Sequence, residues 1–182
     1  MTTQISDTIV YRGCSYDLVG VEGTGFFDPR DYCLDLEAFD AMCNRGYLAR
    51  YKICGGRIRL DMLKLSCEDT SLFPDPLFGA RLIPHQACYR EGKEPIMFTG
   101  GLLAASGLII DCEMPEGSHP AMNYTTVYEL LFDLGKLTKA FDRSAEMAEL
   151  RAAAEAKQEG RSETSTPADY DGCFDRVYRG AF

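Results

Sequence analysis

The sequence has no tryptophan, two histidines among its 182 residues, and no apolar run near the roughly 20 residues that cross a bilayer as a helix. Its longest apolar stretch, residues 102–110, is broken by Ser106 and Gly107. The lack of tryptophan weighs against a sugar-binding cleft, which commonly stacks sugars on aromatic faces. Scarce histidine removes the commonest general base at neutral pH from most of the chain. His85 and His119 both lie beside proline, have no motif-spaced nucleophile or metal ligand, and read as surface-loop residues. No serine occupies a G-x-S-x-G elbow. There is no C-x-x-C pair, which argues against a zinc ribbon or a thioredoxin-type site. Residues 1–7 carry neither the basic nor the apolar region of a signal peptide, so the sequence reads as cytosolic. The eight cysteines, spaced singly, are then expected to be reduced and largely buried thiols.

What is present is a succession of strand-turn-strand units. Thr8, Ile9, Val10 and Tyr11 lead through Arg12-Gly13 into residues 15–21. Residues 47–53 alternate, with Tyr47, Ala49, Tyr51 and Ile53 on one face, and Gly55-Gly56 turns the chain into residues 57–62. The alternation slips at Met62-Leu63, which predicts a β-bulge or a strand end. A third unit is expected from residues 96–98 through a Gly100-Gly101 turn to residues 102–110, and a fourth joins residues 125–132 to 137–141. Every unit is local. The sequence therefore predicts a mainly β protein of α+β type, an antiparallel sheet or partly closed barrel of hairpins with a C-terminal helix.

The character changes near residue 143, which divides the chain into a β-rich core (1–142) and a C-terminal helix, linker and amphipathic tail (143–182). Ser144 is the expected N-cap of a helix over residues 145–158, with Met147, Leu150 and Ala154 as a thin apolar stripe and Gly160 as the stop. Residues 161–167 read as a linker. Beyond them Tyr170, Phe174, Val177 and Tyr178 share one helical face, a candidate for self-association with a second copy. Residues 35–44 are expected to form one or two helical turns, and the proline-rich stretches 68–76 and 113–120 to be loops.

Charge is the remaining signal. The chain has 28 acidic and 19 basic residues, a formal charge of −9. Glu22, Asp28, Asp31, Asp35, Glu37 and Asp40 fall within 19 positions, opposed there only by Arg30. Their spacing does not match a calcium loop, and Gly20-Val21-Glu22-Gly23-Thr24-Gly25 is not a dinucleotide-binding fingerprint. No metal ligand set, cofactor site or catalytic constellation stands out. So acidic a surface repels free nucleic acid, whose phosphates need cations, and it attracts a protein with a basic surface. These six carboxylates are the candidate partner-binding residues, with a solvated loop face as the plain alternative. Carboxylates gathered in a β cleft would instead make a small hydrolase, and an immunity-type inhibitor of a basic bacterial toxin would use the same charge.

The stretches Asp7-Thr8-Ile9-Val10-Tyr11-Arg12-Gly13, Tyr16-Asp17-Leu18-Val19-Gly20, Phe27-Asp28-Pro29-Arg30-Asp31-Tyr32 and Arg45-Gly46-Tyr47-Leu48-Ala49-Arg50-Tyr51 resemble small bacterial and phage proteins. In size and acidity the chain also resembles the type II-A anti-CRISPR proteins of gut bacteria and their phages. That resemblance implies a non-enzymatic Cas9 inhibitor in the bacterial cytoplasm, binding guide-loaded Cas9 and blocking target DNA binding or cleavage. It carries over no individual functional residue.

Overall fold

The computed structural model describes residues 5–32, 45–66, 87–90, 94–109 and 119–159. Three hairpins form where the turn dipeptides stand: β1 (Thr8–Tyr11) with β2 (Cys14–Thr24), β3 (Tyr47–Cys54) with β4 (Arg57–Leu65), and β7 (Tyr124–Asp133) with β8 (Lys136–Asp142). Their central residues all have positive φ: Arg12 (51°) and Gly13 (81°), Gly55 (59°) and Gly56 (73°), Leu134 (43°) and Gly135 (77°). Two such residues make the type I′ turn, whose twist matches that of the flanking strands. Leucine is poorly suited to this role, because its Cβ crowds the following carbonyl and costs roughly 1–2 kcal/mol. Leu134 is also 56% exposed, so little burial offsets the strain. Leu134→Asn is expected to raise Tm by about 2–4 °C in a thermal melt; a Tm that stays put or falls contradicts the turn assignment.

The strands join in one sheet. β2, β6 (Thr99–Leu108), β7 and β8 pair antiparallel in turn, while β1 pairs β3 in parallel, Thr8 beside Arg50 and Val10 beside Lys52. The ring closes between β4 and β8, which start side by side and diverge, so only Arg57 and Lys136 form a register pair. Bonds from Ile58 N–H to the Gly135 carbonyl (2.9 Å) and from Leu137 N–H to the Gly56 carbonyl (2.8 Å) hold that seam. The approach to β6 wedges in beside it: Ile96 donates to the Ile58 carbonyl at 3.0 Å, and Gly135 donates to the Phe98 carbonyl at 2.7 Å. Farther along β4, the same edge pairs with β5 (Ala87–Arg90). Seven strands close the ring, in the order β3-β1-β2-β6-β7-β8-β4, and β5 is the eighth strand of the sheet.

Two expectations need correction. Gly100-Gly101 is not a turn; both residues lie inside β6, where Gly100 faces Gly23 of β2, and residues 96–98 precede the strand. The pair permits close backbone approach there instead of reversing the chain. The other correction concerns thiols. Cys14 and Cys54, the thiols whose side chains are described, are exposed and not buried as expected, because each borders a hairpin turn. The expected bulge is present: the register jumps from Tyr51–Leu60 to Arg50–Met62, leaving Asp61 as the extra residue.

Alternation sorts the apolar residues into two layers. Ile9, Tyr51, Ile58, Leu63, Leu65, Phe98, Leu102 and Leu130 have no exposed surface and fill the interior of the ring. The intervening Val19, Leu103, Ala105 and Val127 point outward, where the helix α1 (Ser144–Glu159) covers them with Met147, Leu150 and Ala154. The thin stripe read from the sequence is thus a packed one, with Met147 1% exposed. Among the described residues no helix is long and apolar enough to cross a membrane.

Candidate functional site

Of the six candidate carboxylates, Glu22, Asp28 and Asp31 lie among the described residues; Asp35, Glu37 and Asp40 lie outside them, as do the tail residues Tyr170, Phe174, Val177 and Tyr178 and the helical turns expected over 35–44. Glu22 is exposed on β2 and makes no ion pair among the described residues. Asp31 is exposed in the short 3₁₀ turn Pro29–Tyr32. Asp28 opens that turn as a cap, accepting the Arg30 backbone N–H at 2.9 Å, and its carboxylate is clasped by the Arg30 guanidinium. Hydrogen bonds from Arg30 hold the Asp28 carboxyl below its ordinary range. Its negative charge is therefore largely engaged locally, and Glu22 and Asp31 are the described carboxylates free to meet a partner.

Asp28 also sits within reach of a buried polar cluster that spacing in the sequence does not reveal. Asp7, 8% exposed, accepts the Ala49 backbone N–H at 2.7 Å and an N–H from Arg45, 38 positions away. The Arg45 guanidinium stacks 4.4 Å from the Tyr47 ring centre. Burial raises the Asp7 carboxyl above its ordinary range, although Arg45 and the Ala49 N–H pull the other way. The cluster pins the start of β1 to β3, which makes it a fold determinant first.

These carboxylates respond to acid with opposite sign. Asp61 is driven up by burial, but hydrogen bonds from Lys52 and Arg50 outweigh that and hold it below 3.8, and Asp142 is held down by Ser144. A lowered folded pKa means stability present above the unfolded value and lost as pH falls through the folded one. Asp28, Asp61 and Asp142 therefore destabilise the fold in acid, from about pH 4 downward. Asp7 does the reverse, since its raised pKa makes ionisation costly and protonation favourable. Asp61→Asn is expected to lower Tm at pH 7 and to matter little at pH 2, whereas Asp7→Asn is expected to leave Tm at pH 7 unchanged or higher. Melts of both variants at the two pH values check this; the opposite ordering would refute the assignment.

A second buried pair secures α1. Glu129 on β7 has no exposed surface, and its Oε2 accepts from Arg143 Nε at 2.8 Å and Nη2 at 2.7 Å. Arg143 also reaches Glu146 at 3.1 Å, and Ser144 Oγ accepts the Val127 N–H at 3.1 Å. His119 is half-buried, contrary to its surface reading, because it leads into the buried turn Ala121–Asn123; His85 lies outside the described residues. Among the described residues, no group of three or more His, Cys, Asp or Glu is placed to hold a metal ion. No family model, curated protein or solved structure matches the chain.

Proposed function

We propose that this protein is a non-enzymatic binding protein whose carboxylate-bearing surface docks on a basic nucleic-acid-processing protein, with guide-loaded Cas9 as the partner. The observation that carries the reading is where the side chains go. Tyr51, Phe98, Leu102 and Leu130 fill the ring, and Glu22 and Asp31 stand exposed without an ion pair among the described residues. A barrel filled by its own side chains works through its outside. Cas9 holds nucleic acid in positively charged channels and reads its adjacent motif with arginines, so its cations suit an acidic competitor. Inhibition would be stoichiometric and would act in the bacterial cytoplasm at target DNA binding or cleavage.

The test is a pull-down with the tagged full chain from lysates that contain guide-loaded Cas9, Cas9 without guide, or neither. Retention of Cas9 with loss of target cleavage at equimolar inhibitor is expected. Absence of Cas9 from the eluate, with cleavage unchanged at tenfold excess, would overturn the assignment of partner.

A further inference from the structure

The fold collects positive charge on one face of a chain whose formal charge is −9. On β3 and β4 the inward positions are Tyr51, Ile58, Leu60, Leu63 and Leu65, so the alternate residues Arg50, Lys52, Arg57, Arg59 and Lys64 point outward. Lys136, exposed at the start of β8, extends the face across the seam opposite Arg57. Among the described residues the carboxylates on or beside this face are Asp61, bonded to Arg50 at 2.6 Å and Lys52 at 2.8 Å, Asp133, the register partner of Lys136 on β7, and Glu94 at the border next to the bridge between Pro95 and Arg59.

Two register pairs on this face set like charges opposite one another, Lys52 with Arg59 and Arg57 with Lys136. Such pairs destabilise a sheet. Asp61 relieves the first through Lys52; at the second, Arg57 donates to the Leu134 carbonyl at 3.4 Å and Asp133 lies across the turn from Lys136, but no carboxylate among the described residues forms an ion pair with either cation. Repulsion sits at the point where the ring closes through a single register pair. A surface that retains such a pair at its weakest seam suits an anionic ligand that relieves it.

We infer that this face binds the phosphate backbone of single-stranded nucleic acid. Cations two apart on one strand, such as Arg57 and Arg59, lie roughly 6.8 Å apart, and cross-strand partners about 5 Å, which gives a lattice of charge along and across the band. Arginine adds bidentate donors suited to phosphate. An acidic protein is the poorer fit, since a specific protein interface centres on buried apolar or aromatic anchors. The described outward residues of this face are mostly charged, with half-buried Met62 and Leu48 among them. No groove-reading helix is needed for a single strand, whose backbone a cationic surface can follow.

The chain-wide negative charge by itself argues against nucleic acid, but Glu22, exposed on β2, is set apart from this face. In the seven-strand ring β2, carrying Glu22, is three strands from β4, as far as the ring allows. At about 8 Å, the physiological Debye length leaves such distant charges largely screened. The surface is independent of the acidic one proposed above and would survive the failure of that reading.

The test uses fluorescein-labelled (dT)20 and fluorescence anisotropy with the full chain. Four neutralised phosphates on a single strand imply a salt slope near −2.8, so raising salt from 50 to 200 mM is expected to weaken binding by about 50-fold. Arg57→Glu with Lys136→Glu is expected to weaken binding at least tenfold at 50 mM salt, while Glu22→Lys with Asp31→Lys is not. Where the double reversal fails to fold, Arg57→Gln with Lys136→Gln serves in its place. Arg57→Glu alone creates an attractive pair with Lys136, so it is expected to raise Tm while lowering affinity, a split that a merely structural role would not give. No binding at 20 mM salt, unaltered binding by the folded Arg57/Lys136 double variant, or equal displacement of (dT)20 by polyglutamate would overturn the inference.

Discussion

Gly100→Ala is expected to cost about 3 kcal/mol or more and to leave little folded protein at 37 °C. A Cβ at Gly100 would lie 2.1 Å from the Glu22 carbonyl oxygen, 2.7 Å from Gly23 Cα and 2.9 Å from the Phe98 ring. The first two are backbone atoms of the neighbouring strand, which no rotamer change can move. The residue also has φ of +151°, a conformation that side chains strain to adopt. Gly23 is its mirror: its own Cβ would meet the Thr99 carbonyl at 2.3 Å and Gly100 Cα at 2.7 Å. Phe98 packs its ring over this bare patch, taking the place of the missing side chains. Gly13→Ala is the control, since its Cβ would meet nothing within 4 Å and only the φ of +81° opposes it. That variant is expected to lose about 1 kcal/mol. Urea denaturation followed by far-UV circular dichroism separates the two; equal midpoints would show that strand proximity is not the reason for the glycine.

Arg143→Ala has the second large effect, about 3–5 kcal/mol, because it leaves the fully buried Glu129 without its counter-charge. Glu129→Leu in the same chain is expected to restore most of that loss, since an apolar residue on the outward face between Leu103 and Phe141 suits the packing there. The single variants and the double variant form a cycle whose coupling energy measures the pair. If the double variant is as unstable as Arg143→Ala, the arginine acts through Glu146, the Phe141 ring and the helix start instead.

The hairpins were legible because their causes are local. Arg12-Gly13, Gly55-Gly56 and the turn before Lys136 each sit between alternating runs, and the positive φ they require is written in the glycine. Gly100-Gly101 carries the same dipeptide signal and means the opposite, because close approach of two strands selects glycine as strongly as a turn does. Only the position of Gly23 across the sheet distinguishes them. Closure was illegible for a related reason: the parallel pairing of β1 with β3 and the lone Arg57–Lys136 pair are relations between distant segments. The same holds for Asp7 with Arg45.

Charge was legible only in one register. The acidic run over residues 22–40 is dense in sequence and draws the eye, yet the structure engages Asp28 with Arg30 beside it. Arg50, Lys52, Arg57, Arg59 and Lys64 are interleaved with apolar residues, so the run looks unremarkable until the period of two places them on one face. Counting cations at alternate positions of the predicted strands would have found that face.

The direct measurement of the central proposal is a titration of guide-loaded Cas9 with the parent and with a Glu22→Lys, Asp31→Lys, Asp35→Lys, Glu37→Lys variant, at 0.1 M and 1 M salt. Asp28 is left intact so that its turn survives. Exposed charges contribute about 0–1 kcal/mol singly, so the four must change together. The expected result is a folded variant whose affinity falls at least 100-fold, mostly through a slower on-rate, and a parent that weakens likewise at 1 M salt, where the Debye length is about 3 Å. A folded variant that binds and inhibits as the parent does, with no dependence on salt, would contradict the acidic docking surface.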